Sequence, residues 1–276
     1  MWICLCVVIL VLILVLVSFW CGNRLLRPSY HPDTPKILHL IYLPWDKQQR
    51  LKEDWNDFDH TYERNMRAQW EPKGWTVRMW TQPELRSEFP DVWNYAVKES
   101  VRPTQIVDLM RWVVLWKYGG LYLQYDSVPH VSLERFLPGQ SSEVRLFTET
   151  VLTPEQSKQN AFIDPIRKGV PEEPVRVCNQ VMSVIRPHHP FVELCCETIL
   201  HNLRHTKATT DYQILWSSAN TCISTLYDQV GQHNPTIELI SEPVRKQWVT
   251  ISSRGSWRTD MDSFVKPHVL SSSSSS

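Results

Sequence analysis

The stretch "LWKYGGLYLQYDS", residues 115–127, joins two kinds of pattern at a pair of glycines. Upstream, "PTQIVDLMRWVVLWKY" spaces Ile106, Leu109, Met110, Val113, Val114 and Trp116 as a mostly buried helix does. Thr104 is the expected N-cap, and Lys117 near the other end suits the helix dipole. Gly119 is expected to adopt the left-handed conformation that stops a helix, and Gly120 to free the turn. Downstream, "LYLQYD" alternates: Leu121, Leu123 and Tyr125 face one way, Tyr122, Gln124 and Asp126 the other. Three polar-capable groups thus finish at the carboxyl end of a strand, where ligands bind in open α/β sheets. Inside the helix, Asp108 and Arg111 share a face. The plain reading is a local ion pair, but on so apolar a helix a charged pair has a further task.

The pattern around this stretch is strand, helix, strand, helix, the α/β signature. "KILHLIYL" from Lys36 is a compact apolar run between Pro35 and Pro44 and reads as a buried first strand. A helix is expected near residues 55–70, and "GWTVRMW" from Gly74 alternates as a second strand. In "TQPELRSEF", Thr81 caps a further helix, with Pro83 early and Glu84 completing a capping box.

The chain has 276 residues, 29 basic and 29 acidic, and 42 % hydrophobic residues. A body of roughly 230 residues buries a full core without covalent staples. Zero net charge argues against nucleic acid as a partner, which requires a basic face. The 13 tryptophans read first as core and second as stacking surfaces for sugars or bases. Cys178, Cys195, Cys196 and Cys222 lie in the body without any C-x-x-C pair, so buried free thiols are expected rather than a zinc site.

Residues 2–22, "WICLCVVILVLILVLVSFWCG", carry no charge and are long enough to span the hydrocarbon core as a helix. No basic start or small-residue cleavage site marks a signal peptide, and Trp2 and Trp20 stand near the two ends, where interfacial aromatics belong. The expected organisation is an anchor at 1–23, a proline-bearing stem at 24–35, a catalytic body at 36–268 and a disordered serine tail at 269–276. Arg24 and Arg27 follow the span with nothing basic before it, a distribution that favours a cytosolic body.

"VDLMRWVVLWKYGGLYLQYD" resembles the glycosyltransferases with a DXD sugar-binding motif, among them the yeast-type initiating mannosyltransferases and the mannosyl-inositol-phosphorylceramide synthases. Their core reads roughly S-D-x-x-R-x-x-x-L-x-x-Y-G-G-x-Y-x-D-x-D. Asp108, Arg111, Leu115, Tyr118, Gly119, Gly120, Tyr122 and Asp126 match it. "PKILHLIY", "GWTVRMWT", "NQVMSVIRPHHPF" from Asn179 and "GSW" at 255–257 extend the resemblance over most of residues 35–260. There are two departures. Gln124 replaces the first motif aspartate, and "ISSR" at 251–254 replaces the histidine common before G-S-W.

The resemblance implies a GT-A-like nucleotide-sugar-binding fold, an open twisted mostly parallel sheet flanked by helices, behind an N-terminal transmembrane helix. It implies retaining transfer of a hexose, mannose first, from GDP-mannose or a UDP-hexose to a glycan or glycolipid acceptor. The body would then be lumenal, in the Golgi or another secretory compartment, against the pull of Arg24 and Arg27. Asp108, Arg111, Tyr122, Gln124, Asp126, Ser256 and Trp257 become the donor-binding set, with Asp126 holding Mn²⁺ or Mg²⁺. Asn179 and His189 become acceptor-side candidates, although a histidine beside proline also reads as structural. Gln124 keeps hydrogen-bonding capacity but brings no second charge to the metal. The alternative is a weakened homologue that binds a nucleotide sugar or a partner glycosyltransferase. A glycosidase would need two acids about 5–10 Å apart across a cleft. No pattern in the sequence points to such a pair.

Overall fold

The computed structural model describes residues 33–45, 51–52, 60–151, 175–208 and 211–251. Among these no helix is long and apolar enough to cross a membrane. The expected anchor and serine tail lie outside the described residues, as do Ser256 and Trp257.

In chain order the elements are β1 (Ile37–Ile41), α1 (Thr61–Trp70), β2 (Thr76–Trp80), α2 (Gln82–Glu88), α3 (Pro90–Glu99) and α4 (Pro103–Tyr118). Then follow β3 (Gly120–Leu123), β4 (Val128–Pro129), β5 (Val144–Val151), β6 (Val175–Val184) and α5 (Pro190–His205). The last are α6 (Asp211–Ser217), α7 (Asn220–Gln229), β7 (Ile237–Ile240), α8 (Glu242–Trp248) and β8 (Val249–Thr250).

The central sheet has the order β2-β1-β3-β6-β5-β7. β1 pairs in parallel with β2 and β3, and β5 in parallel with β7, while β6 runs antiparallel to both of its neighbours. The sheet is therefore mixed, with one reversed strand in a mostly parallel set. Its two faces bury separate cores. Trp80, Trp112, Tyr122, Met182 and Phe191 belong to one, under α2 to α5 and α7. Trp70, Leu121, Leu123, Phe136 and Phe147 belong to the other, under α1.

The alternation read at "LYLQY" holds, since Leu121 and Leu123 are buried in the second core with Tyr125 packed against it, and Tyr122 is buried in the first. Trp70, Trp75, Trp80, Trp93 and Trp112 are core, and the four body cysteines are buried free thiols.

The capping box at Thr81 forms, with Glu84 Oε2 accepting from the Thr81 backbone at 2.7 Å. Thr104 is not the cap of α4: Pro103 takes the first helical position, and Thr104 is buried within the first turn. Gln105 does the capping work instead, its Oε1 accepting from the backbone N–H groups of Val101 at 2.8 Å and Arg102 at 3.1 Å. Proline has no N–H to satisfy at that end, so a side chain reaching backwards suffices. The helix near residues 55–70 is described from Thr61 onward.

The two glycines do more than stop a helix. Gly119 has φ 64 and ψ −155, an extended mirror-image conformation open to glycine alone rather than the expected left-handed cap. Gly120 has φ 87, and a Cβ there would stand 2.6 Å from the Ile37 carbonyl oxygen. Both features bring β3 directly out of α4 and against β1. His39 pins the same joint from β1. Its Nε2 donates to the Gly119 carbonyl at 2.9 Å, and Trp80 Nε1 donates to its Nδ1 at 3.0 Å. Burial lowers its pKa to about 4, with the Gly119 bond opposing and Arg78 adding, so the ring is neutral.

Candidate functional site

The carboxyl ends of β1, β3 and β5, the start of β6 and the first turns of α4 surround a cavity of about 450 Å³. That is within the range of small-molecule sites. Asp108, Arg111, Tyr122, Gln124, Asp126 and Asn179 all line it, six of the residues singled out in the sequence. His189 does not. It occupies the N-cap of α5, where Nδ1 accepts from the Phe191 N–H at 3.2 Å and Nε2 lies 3.2 Å from Glu143. Its neighbour Pro190 is the first residue of the helix.

Asp108 and Arg111 form the ion pair expected from their spacing, at 2.9 Å with both side chains buried. The pair is tied to the sheet. Arg111 donates to the Asn179 backbone carbonyl, and Asn179 Nδ2 donates to Asp108 Oδ1 at 3.0 Å. Ser218 donates to Asp108 Oδ2 at 3.0 Å, and Arg111 Nε donates to the Val107 carbonyl at 3.3 Å. Burial pushes the Asp108 carboxyl up, with Arg111, Ser218 and Asn179 opposing. Each of these groups keeps little capacity to spare: one acceptor site on Asp108 Oδ2, and one N–H on each terminal nitrogen of Arg111. The guanidinium also lies over the Tyr122 ring, 5.2 Å from its centroid.

Tyr122 is fully buried, and its hydroxyl has no hydrogen-bond partner among the described residues. Burial foremost raises its pKa. An orphaned buried hydroxyl at a cavity wall is the kind of group that a bound ligand satisfies.

Asp126 is not on the strand. β3 ends at Leu123, and Ser127 N–H donates to the Gln124 carbonyl at 3.0 Å to close a tight turn. Asp126 has φ 81 at the third position of that turn, which demands a positive φ in type II geometry and suits Asp or Asn. The turn is braced by aromatics: Tyr125 packs on Tyr42 and Tyr62 at 4.9 and 4.8 Å, and the Tyr62 hydroxyl donates to the Ser127 carbonyl at 2.6 Å. Asp126 is half-buried, and burial raises its carboxyl to about 6.

Among the described residues no three His, Cys, Asp or Glu side chains gather as a metal cage. Asp126 offers one half-buried carboxylate at the cavity, a hard oxygen donor that would suit a divalent ion whose other ligands came from a bound molecule. β8 pairs with β4 close to the Asp126 turn. Thr250, at the end of β8, pairs with Val128, two residues past Asp126.

Among the lining residues not singled out from sequence are Glu149, Arg176 and Asn220. Glu149 and Arg176 come together at 2.9 Å, and Asn220 Nδ2 donates to the same carboxylate oxygen. The available signal was an acidic residue inside the apolar run "VRLFTETV".

Residues 30–143 match the family model described as "glycosyltransferase sugar-binding region containing DXD motif". No curated protein matches the chain. Among solved structures, the PaToxG glycosyltransferase aligns over 73 % of this chain and 71 % of its own, at 10 % identity and a TM-score of 0.43. The apo form of mouse xyloside xylosyltransferase 1 aligns over 76 % and 84 %, at 11 % identity and a TM-score of 0.36. Both likenesses are too loose to bear on what this chain does.

Proposed function

We propose that the protein is a membrane-anchored retaining glycosyltransferase of GT-A-like fold. It moves a hexose, mannose first among them, from GDP-mannose or a UDP-hexose to a glycan or glycolipid acceptor. The observation that supports this reading is the convergence of the motif residues Asp108, Arg111, Tyr122, Gln124 and Asp126 on one cavity, inside the stretch that matches the sugar-binding family model.

In this reading Asp126 holds Mn²⁺ or Mg²⁺ on a turn that fixes its direction, and Gln124 hydrogen-bonds a sugar or ribose hydroxyl. The ion, when bound, supplies charge for the departing diphosphate. Asp108 and Arg111 act mainly by holding α4 to β6 at the right height, and their remaining acceptor and donor sites reach the donor sugar. The orphaned Tyr122 hydroxyl completes the donor wall. Ser256 and Trp257, outside the described residues, complete the proposed donor-binding set. Asn179 sits on the acceptor side of Asp108, while His189 drops out of the site.

The test is hydrolysis of GDP-mannose, UDP-glucose, UDP-galactose and UDP-N-acetylglucosamine by the full chain in detergent, with and without Mn²⁺. Metal-stimulated release of nucleoside diphosphate from one donor is expected, and Asp126→Asn removes it. Asn is as comfortable as Asp at positive φ, so the turn survives and only the charge is lost. Turnover unaffected by that change ends the assignment of Asp126.

A second reading follows from Gln124, which stands where the family carries the first aspartate. It is a binding homologue that takes up the nucleotide sugar without turnover, or that serves a partner glycosyltransferase. Donor binding without hydrolysis of any of the four sugars would favour it. The anchor belongs to the proposal too, with the body in the lumen of the Golgi or another secretory compartment. Protease added to sealed vesicles should then leave the body intact.

A further inference from the structure

The β5–β6 ladder shifts register between Arg145 and Phe147, pairs Phe147 with Cys178 and Thr148 with Val177, and then shifts again: the next partners are Thr150 and Arg176, so Glu149 is an extra residue on β5. Such a bulge breaks the ladder and re-aims a side chain, and bulges recur beside active sites. This one is held from behind. Arg245 of α8, itself buried, donates through Nε to the Thr148 carbonyl at 2.8 Å and through an Nη to the Glu149 carbonyl at 3.4 Å. From in front, Arg176 Nε stands 2.9 Å from Glu149 Oε2, and Asn220 Nδ2 donates to that same oxygen. The other oxygen, Oε1, has no partner among the described residues, on a side chain that keeps 32 % of its surface exposed and lines the cavity.

One carboxylate oxygen is therefore anchored by a cation and an amide, and its twin keeps its acceptor capacity on a side chain that lines the cavity. The position matters as much as the chemistry. β6 separates β5 from β3, which puts Glu149 two strand spacings, about 10 Å, from the strand that carries the Gln124–Asp126 turn. A strand separation of that order leaves room for a sugar-sized group between the side chains that line the cavity.

We propose that Glu149 is the acceptor-side carboxylate of this site. Its Oε1 accepts a hydrogen bond from the acceptor hydroxyl, or from the water that replaces it, and so orients that oxygen toward the anomeric carbon. As the new C–O bond forms and the bond to the diphosphate breaks on the same face, the hydroxyl's proton passes to the departing diphosphate oxygen, as retention requires. Arg176 and Asn220 position the group and Arg245 sets the bulge that aims it. The inference rests on the nucleotide-sugar reading above, and it adds a residue and a subsite that the DXD region does not contain, since Glu149 lies past residue 143.

Water serves as the acceptor probe, so the acceptor's identity is not needed. The full chain is assayed in detergent for Mn²⁺-dependent hydrolysis of the four nucleotide sugars, alongside calorimetric binding of the corresponding nucleoside diphosphates. Glu149→Gln, which keeps the shape, should lower kcat by about tenfold or more while nucleotide affinity stays within about twofold. Glu149→Asp, which keeps the charge but withdraws it, should fall between. A kcat within about twofold of wild type in Glu149→Gln overturns the inference. So does an equal loss of nucleotide affinity, which would place the carboxylate on the donor side, and so does a collapse of thermal stability, which would make the pair purely structural. If the wild type binds none of the nucleotides, the nucleotide-sugar reading itself fails and takes this one with it.

Discussion

Asp108 and Glu149 line the same cavity, and each has an arginine nitrogen at 2.9 Å. Yet the side chains of the first pair are 4–5 % exposed and those of the second 19–32 %. Around Asp108, Asn179 and Ser218 use up most of the remaining capacity, and the group joins α4, β6 and the end of α6. Around Glu149 one oxygen is fixed and the other has no partner among the described residues. The first arrangement is scaffolding with little bonding capacity left over. The second can respond to whatever enters.

The largest effect should come from breaking the buried pair. Asp108→Ala leaves Arg111 charged, desolvated and without its carboxylate, a change that costs about 3–5 kcal/mol. Arg176→Ala removes a pair that water partly screens, and should cost about 1 kcal/mol or less. Urea unfolding of both variants checks the contrast, and equal losses would abolish it. Arg111→Lys should resemble Asp108→Ala more than a conservative change. A lysine cannot span Asp108 and the Asn179 carbonyl as the planar fork does.

Next in size is a pH effect confined to the foundation of the Asp108 side. His39 has an ordinary pKa of 6.5 when unfolded and about 4 when folded. Between these values the unfolded chain takes up a proton that the folded chain refuses, so stability rises with pH. The contribution is complete above 6.5, declines as pH falls, and is gone below about 4. Over the whole window it amounts to about 3 kcal/mol. His39→Gln should flatten this part of the stability-versus-pH curve relative to wild type. Hydrogen exchange at pH 5 should loosen β3 and the end of α4 before β5, because His39 bonds to Gly119 and not to the bulge.

How much of this was legible in sequence follows the same divide. The α4–β3 unit is local. Its apolar spacing, its glycine pair and its alternating strand are all read within about one turn or two residues of each other. The cavity-facing set Tyr122, Gln124 and Asp126 was therefore visible at once. Details that depend on partners were not. The cap passed from Thr104 to Gln105 because Pro103 claimed the first position, and the turn at Asp126 depends on aromatics from β1 and α1. Ser218 stands 110 positions from the aspartate it bonds, and Arg245 stands 97 from Thr148. No periodicity connects residues so far apart. A bulge in particular has no sequence signature here, since "TETV" reads as ordinary strand until its partner is known.

The smallest effect sharpens the contrast from the metal side. Gln124 and Asp126 flank Tyr125 in a turn whose geometry is set by the Gln124 carbonyl and the Ser127 N–H. Neither Gln124's backbone role nor the φ of Asp126 depends on what the Gln124 side chain carries, so Gln124→Asp should fold as wild type does. It adds a carboxylate to the donor end of the cavity and leaves the Glu149 end untouched. If the new charge lies within about 4–6 Å of the ion, Mn²⁺ binding in the presence of nucleotide should tighten by about 1 kcal/mol. Calorimetric titration measures this directly. The rate of hydrolysis at saturating Mn²⁺ should change little if, as proposed, attack is governed at the Glu149 end of the cavity. A large gain in that rate with no gain in affinity would mean that residue 124 acts on the reacting sugar itself. The separation of donor and acceptor ends along β3, β6 and β5 would then have to be redrawn.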